Sequence, residues 1–85
     1  MAYSIQFQSS ALRQLEKLPR DAQKRLAVKI EMLAGDPFPR GCKKMEGIDD
    51  TWRIRVGDFR VVYRVHRGVL IILVLAIGHR KDVYR

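Results

Sequence analysis

The chain opens on a short alternation. Residues Tyr3-Ser4-Ile5-Gln6-Phe7 place apolar and polar side chains in turn, the period of two that marks a strand with one buried face. Ser9 and Ser10 then offer an N-cap, and Leu12, Leu15 and Leu18 recur at helical spacing. Pro19 interrupts that helix. Its fixed φ and missing N–H suit the first turn of another, with the Asp21 carboxylate near the positive end. Ala22, Leu26, Ile30 and Leu33 form one apolar stripe of this second helix, which Gly35 and Asp36-Pro37-Phe38-Pro39 bring to an end. The pattern predicts an antiparallel helical hairpin presenting both stripes to one sheet.

The segment from Arg40 to Asp50 is polar and glycine-bearing, and reads as irregular. Three strands are predicted after it. Trp52-Arg53-Ile54-Arg55-Val56 alternates strictly, and Gly57-Asp58 makes a two-residue turn. Phe59 to His66 follows, with Phe59, Val61, Tyr63 and Val65 on one face and Arg60, Val62, Arg64 and His66 on the other. Arg67-Gly68 forms a second tight turn. Val69 to Ile77 is apolar throughout, hence a central strand covered on both sides, and Gly78 ends it. The expected order is β-α-α-β-β-β: a single α+β domain over 1–85, its helical hairpin packed on one face of a small, mainly antiparallel sheet.

Composition narrows the class of protein. An 85-residue chain has room for one core, and 47% hydrophobic with 31% charged residues is a globular balance. The single cysteine, Cys42, excludes an intramolecular disulfide, so packing alone must hold the domain. The apolar run from Val69 to Ile77 is far shorter than the roughly 20 residues that span a bilayer, and the N-terminus lacks the pattern of a secretory signal. A soluble, cytoplasmic protein without membrane contact is expected.

Charge changes the picture more. Seventeen Lys and Arg against nine Asp and Glu give a net +8. The excess lies from Arg40 onward, where eleven basic residues face five acidic ones and arginine outnumbers lysine eight to three. A guanidinium grips phosphate through two parallel hydrogen bonds, which an ammonium cannot do. If Trp52, Ile54 and Val56 face the helices, Arg53 and Arg55 project from the opposite side, beside Arg60 and Arg64 of the next strand. Arg80 and Tyr84 follow the central strand and are placed to fold back over the same face. A solvated sheet surface accounts for any one of these arginines. Five converging on one face, with few acids between them, point to a polyanion such as an RNA backbone.

Other chemistry is poorly supported. His66 and His79 with scattered acids make no metal-ligand spacing, no glycine-rich phosphate loop exists, and Cys42 has no histidine near it in sequence. Neither a metal nor an organic cofactor is expected. Trp52 and Tyr3 read as core anchors, and Tyr63 is open to either role.

The run Trp52-Arg53-Ile54-Arg55-Val56-Gly57-Asp58-Phe59-Arg60-Val61-Val62-Tyr63, the apolar strand after it and Gly78-His79-Arg80-Lys81-Asp82-Val83-Tyr84 together resemble the C-terminal half of the RelE/ParE toxin superfamily. The opening strand and the Leu18-Pro19-Arg20-Asp21-Ala22-Gln23-Lys24-Arg25 hairpin are similar too, so the likeness covers essentially the whole chain. The RelE-like branch implies an mRNA interferase of a type II toxin–antitoxin system, cleaving translated mRNA in the ribosomal A site by metal-free attack of a ribose 2′-OH on the adjacent phosphate. It implies Arg60, Arg80 and Tyr84 as catalytic residues and Arg53 and Arg55 as clamps on the RNA phosphate; Arg64, His79 and Lys81 are expected beside them as further contacts to RNA phosphates. Tyr84 would stack on a base or accept the 2′-OH proton. RelE-type sites commonly carry lysines where this chain has Arg53 and Arg55, so either a base role there passes to Tyr84 or His79 or activity is reduced. The implied partners are ribosome and mRNA, and a cognate acidic antitoxin (RelB-like or of another class) through which alone operator DNA would be bound. The alternatives are a ParE-like toxin that inhibits DNA gyrase without catalysis, and a plain RNA-binding module.

Overall fold

A computed structural model describes residues 2–79. Its elements are β1 (Ser4–Phe7), α1 (Ser9–Glu16), α2 (Arg20–Met32), β2 (Lys43–Lys44), β3 (Thr51–Val56), β4 (Phe59–His66) and β5 (Ile71–His79). The sheet runs β1-β5-β4-β3-β2, with β1 parallel to β5 and every other neighbour antiparallel. α1 packs on β5 and α2 on β3. The expected α+β class, with both helices on one face of a mainly antiparallel sheet, is what forms.

The core follows from the stripes. Leu26, Ile30 and Leu33 of the α2 segment are buried against Ile54 and Val56 of β3, Val61 and Val65 of β4, and Ile72 and Val74 of β5. In α1 the buried position is Ala11, with Leu15 and Leu18 packed beside it, whereas Leu12, expected in the stripe, is 42% exposed. The expected serine cap is also displaced. Phe7 pairs with Val74, and the Gln8 N–H bonds the Val74 carbonyl at 2.9 Å, so the strand holds until Gln8. Gln8 therefore takes the N-cap position with extended backbone and no side-chain cap, and Ser9 is already helical. Pro19 sits one step earlier than expected, as the N-cap of α2. From α2, Gln23 reaches back and donates to the carbonyls of Glu16 (3.3 Å) and Leu18 (2.8 Å), satisfying acceptors that the end of α1 leaves open.

Three differences in the second half have local causes. The segment read as irregular contains β2, whose Lys43 and Lys44 pair with Arg53 and Trp52. Two residues are too few to show a period. The turn after β4 spans residues 67–70, because the left-handed residue is Leu70 (φ 55°) and not Gly68. That moves β5 two residues along, from Val69–Ile77 to Ile71–His79, and Gly78 lies inside it. The third is a bulge: Val62 pairs with Ala76 and Tyr63 with Val74, so Leu75 is an extra residue on β5. The bulge reverses the parity of the strand. Ile72, Val74 and Ile77 are buried on the helix side, and the small Ala76 and Gly78 face the other way.

Candidate nucleic-acid interface

The register of β3 and β4 decides which side chains meet. Arg53 lies opposite Val62, Ile54 opposite Val61, and Arg55 opposite Arg60. Opposite residues share a face, so the buried Ile54 and Val61 mark the helix side, and Arg53, Arg55 and Arg60 share the far side. The hairpin that holds them turns at Gly57, whose φ of 60° is readily adopted only without a side chain. β2 adds a fourth cation: Lys43 is opposite Arg53 and therefore on the same face.

These residues surround a depression of about 230 Å³ lined by Gly41, Lys43, Arg53, Ile54, Arg55 and Arg60. Among these lining residues there is no carboxylate. Arg60 forms its deepest charged wall, only 8% exposed where Arg55 is open to solvent. Removal from water lowers the Arg60 guanidinium from its usual range, and the like charges of Arg53 and Arg55 push the same way. Each disfavours one more positive charge there. An anion placed there would reverse that balance.

The remaining expected site residues separate into three groups. Arg64 is on the far face, opposite Thr51 and Leu73, but four residues beyond Arg60 and thus about 13 Å along the strand. His79 is opposite Phe59, with the two rings edge to face at 5.2 Å, so the register places it on the helix side, not among the arginines. Arg80, Lys81 and Tyr84 lie outside the described residues. Lys43 was missed by sequence reasoning. Only the pairing of β2 with β3 brings it to the site, and the one local signal was a basic pair after the turn at Gly41 (φ 91°).

Tyr63 is structural. It is fully buried, its hydroxyl donates to the Pro37 carbonyl at 2.7 Å, and burial raises its pKa, with Cys42 beside it adding to the effect. Trp52 packs at the edge of the core, donates to Asp50 Oδ1 at 3.3 Å and meets Phe38 at a ring distance of 4.8 Å. Among the described residues no helix is long and apolar enough to cross a membrane.

A helical hairpin on one face of a small sheet and a cluster of cations on the other define a basic α+β domain of a recurring kind. Over residues 5–84 the chain matches the family described as ParE toxin of the type II toxin–antitoxin system parDE. It is 32% identical to toxin RelG of Mycobacterium tuberculosis, over 100% of this chain and 99% of that protein. Its structure is similar to that of an archaeal RelE–RelB complex from Pyrococcus horikoshii OT3, with a TM-score of 0.84 at 28% identity over 98% of this chain and 100% of that one. The intact Escherichia coli RelBE toxin–antitoxin complex gives 0.82 at 25% identity, over 92% and 96% of the two chains. The chain belongs to the RelE/ParE superfamily and is a RelE-like toxin of a type II toxin–antitoxin system.

Proposed function

We propose that this toxin is a ribosome-dependent endoribonuclease that cuts translated mRNA and so stops translation. The observation that carries the proposal is the cross-strand pair Arg55–Arg60, flanked by Arg53 and Lys43 around one depression on the far face. In the reaction a ribose 2′-oxygen attacks the adjacent phosphorus, the P–O5′ bond breaks, and the products are a 2′,3′-cyclic phosphate and a 5′-hydroxyl. One proton leaves the 2′-OH and one reaches the departing O5′. Arg53, Arg55 and Arg60 hold the phosphate in line for attack and stabilise the extra negative charge of the phosphorane. A guanidinium keeps its proton, so none of the three serves as base. Among the described residues lining the depression, Lys43 is the side chain whose chemistry allows proton exchange. Tyr84 and Arg80, expected to accept the 2′-OH proton and to support the leaving oxygen, lie outside the described residues.

A partner follows from the same surface. The RelE-like neighbours in Pyrococcus horikoshii and Escherichia coli are complexes with an antitoxin. An acidic antitoxin segment laid over this depression would neutralise it and exclude RNA. Operator DNA would then be reached only through that complex, and the ribosomal target places the toxin in the cytoplasm.

One experiment tests the proposal. The protein is induced in cells carrying a reporter mRNA, and 5′ ends are mapped by primer extension, beside a reporter without a start codon and an Arg55→Thr control. Cuts that follow the reading frame, need the start codon and vanish with Arg55→Thr are the expected result. The family matched over residues 5–84 takes its description from ParE, which favours a second reading, inhibition of DNA gyrase without catalysis. Growth arrest with intact mRNA and induced DNA damage would decide for it.

A further inference from the structure

A second depression adjoins the arginine cluster. It measures about 260 Å³, and Arg53 and Arg60 line both. Its character is different. Val62 and Ala76, opposite each other in register, lie on its floor beside Gly78, and Met45 stands at its side. The floor is low because of the bulge at Leu75. Strict alternation from Ile72 and Val74 would have turned Leu75 and Ile77 to this face, and the extra residue presents Ala76 and Gly78 instead. Besides the two guanidiniums, an uncharged polar side chain reaches the rim. Gln14 of α1 accepts the Ile77 N–H through Oε1 at 2.8 Å, which fixes the carboxamide and leaves its two Nε2 hydrogens to another acceptor.

We propose that this depression holds the nucleobase of the nucleotide whose phosphate sits in the arginine cluster, and that Gln14 reads the edge of that base. The inference rests on the ribonuclease reading and deepens it. A nucleotide joins a charged phosphate to a flat, mostly apolar ring. Here a cationic hollow with no carboxylate among its described lining residues joins an apolar one through two shared guanidiniums, whose planes are good stacking surfaces for a base. The apolar floor gives stacking area without sequence preference. The Gln14 amide supplies the preference: with Oε1 held by the Ile77 N–H it can only donate. That suits the carbonyl oxygens of uracil or the paired O6 and N7 acceptors of guanine better than adenine, whose single ring acceptors N1 and N7 flank an amino group that Gln14 can no longer accept from.

The test uses the purified full chain in a reconstituted translation reaction, with mRNAs that differ only in the nucleotides of the A-site codon. The distribution of cut positions is compared for wild type, Ala76→Leu and Gln14→Glu. Ala76→Leu fills the floor. Gln14→Glu keeps an acceptor for the Ile77 N–H and replaces the donors with acceptors, and it tests the idea even should the leucine variant fold poorly. The expected result is a change in the ratio of cuts at adenine to cuts at uracil on the order of tenfold, toward adenine for Gln14→Glu. A purely structural role would change the overall rate and leave that ratio alone. If the wild type cuts and both variants keep its distribution, no base is read here. If the wild type cuts nothing, the ribonuclease reading itself falls, and that outcome is distinct.

Discussion

Arg55 and Arg60 face each other across neighbouring strands, and Arg53 adds a third positive charge to the same depression. Like charges directly opposite each other in a sheet oppose folding. The exposed Arg55 is the member that can be changed without opening a cavity, and threonine suits a strand. Arg55→Thr should therefore melt at a higher temperature than the wild type in a calorimetric scan, while cleavage of translated mRNA falls. A lower melting temperature would mean that other groups already offset the charge here. Asp50 shows the opposite arrangement at the far end of β3. Its carboxylate accepts from Arg67 Nε at 2.8 Å, Arg67 Nη2 at 2.9 Å and Trp52 Nε1 at 3.3 Å, and its own φ is 47°. The Arg67 hydrogen bonds are the largest cause that lowers its pKa from 3.8 to about 2. The folded value is the depressed one, so the stabilisation is complete above about pH 4 and is lost as pH falls toward about 2. Asparagine tolerates the same backbone. Asp50→Asn should cost about 1 kcal/mol at pH 7, solvent screening included, and the gap to wild type in urea unfolding should narrow between pH 4 and pH 2. A gap that stays constant with pH would remove the carboxylate's charge from the account.

The elements differ in how far local pattern could reveal them. β3 and β4 were legible because Trp52 to Val56 alternates strictly and Phe59 to His66 does so but for Val62; that alternation sets Arg53 with Arg55 and Arg60 with Arg64, and the tight turn at Gly57 puts both pairs on one face. α2 was legible through the stripe from Ala22 to Leu33. What escaped depends on pairing between distant segments. The bulge at Leu75 appears only when β4 and β5 are in register, since an all-apolar run carries no parity. The depth of Arg60 depends on what surrounds it, and the displaced cap of α1 on a hydrogen bond from Gln8 to Val74. β2 is the consequential omission, because it carries Lys43 to the arginines. Alternation along β2 turns Lys44, opposite Trp52, to the other face, which provides an internal control. Lys43→Ala should lower single-turnover cleavage about a hundredfold, and Lys44→Ala should leave it near wild type. Lys43→Arg separates two roles. Recovery of the rate would make Lys43 a phosphate contact, whereas recovered RNA binding without recovered rate would make it a group that exchanges a proton.

The fold divides the labour between its two sides: helices and core fix the sheet from one, and the other is left to cations. A net +8 invites a simpler account, in which RNA is attracted by total charge and no particular site matters. Salt dependence distinguishes the two. Each phosphate neutralised on a single strand contributes about −0.7 to the slope of log K against log salt. With Lys43, Arg53, Arg55 and Arg60 each neutralising one phosphate, the scissile one and its neighbours along the strand, the slope should be roughly −3 for a short single-stranded RNA titrated by fluorescence anisotropy. Two substitutions that remove one charge each then make the comparison. Arg55→Thr should flatten the slope by about 0.7. Lys24→Ala, on the exposed side of α2 beside Arg25 and Val28, should leave it unchanged. Equal flattening by both would mean that the whole charge binds RNA and the depression is not its seat. An effect confined to Arg55 would tie the affinity to the depression around which the sheet register gathers Lys43, Arg53, Arg55 and Arg60.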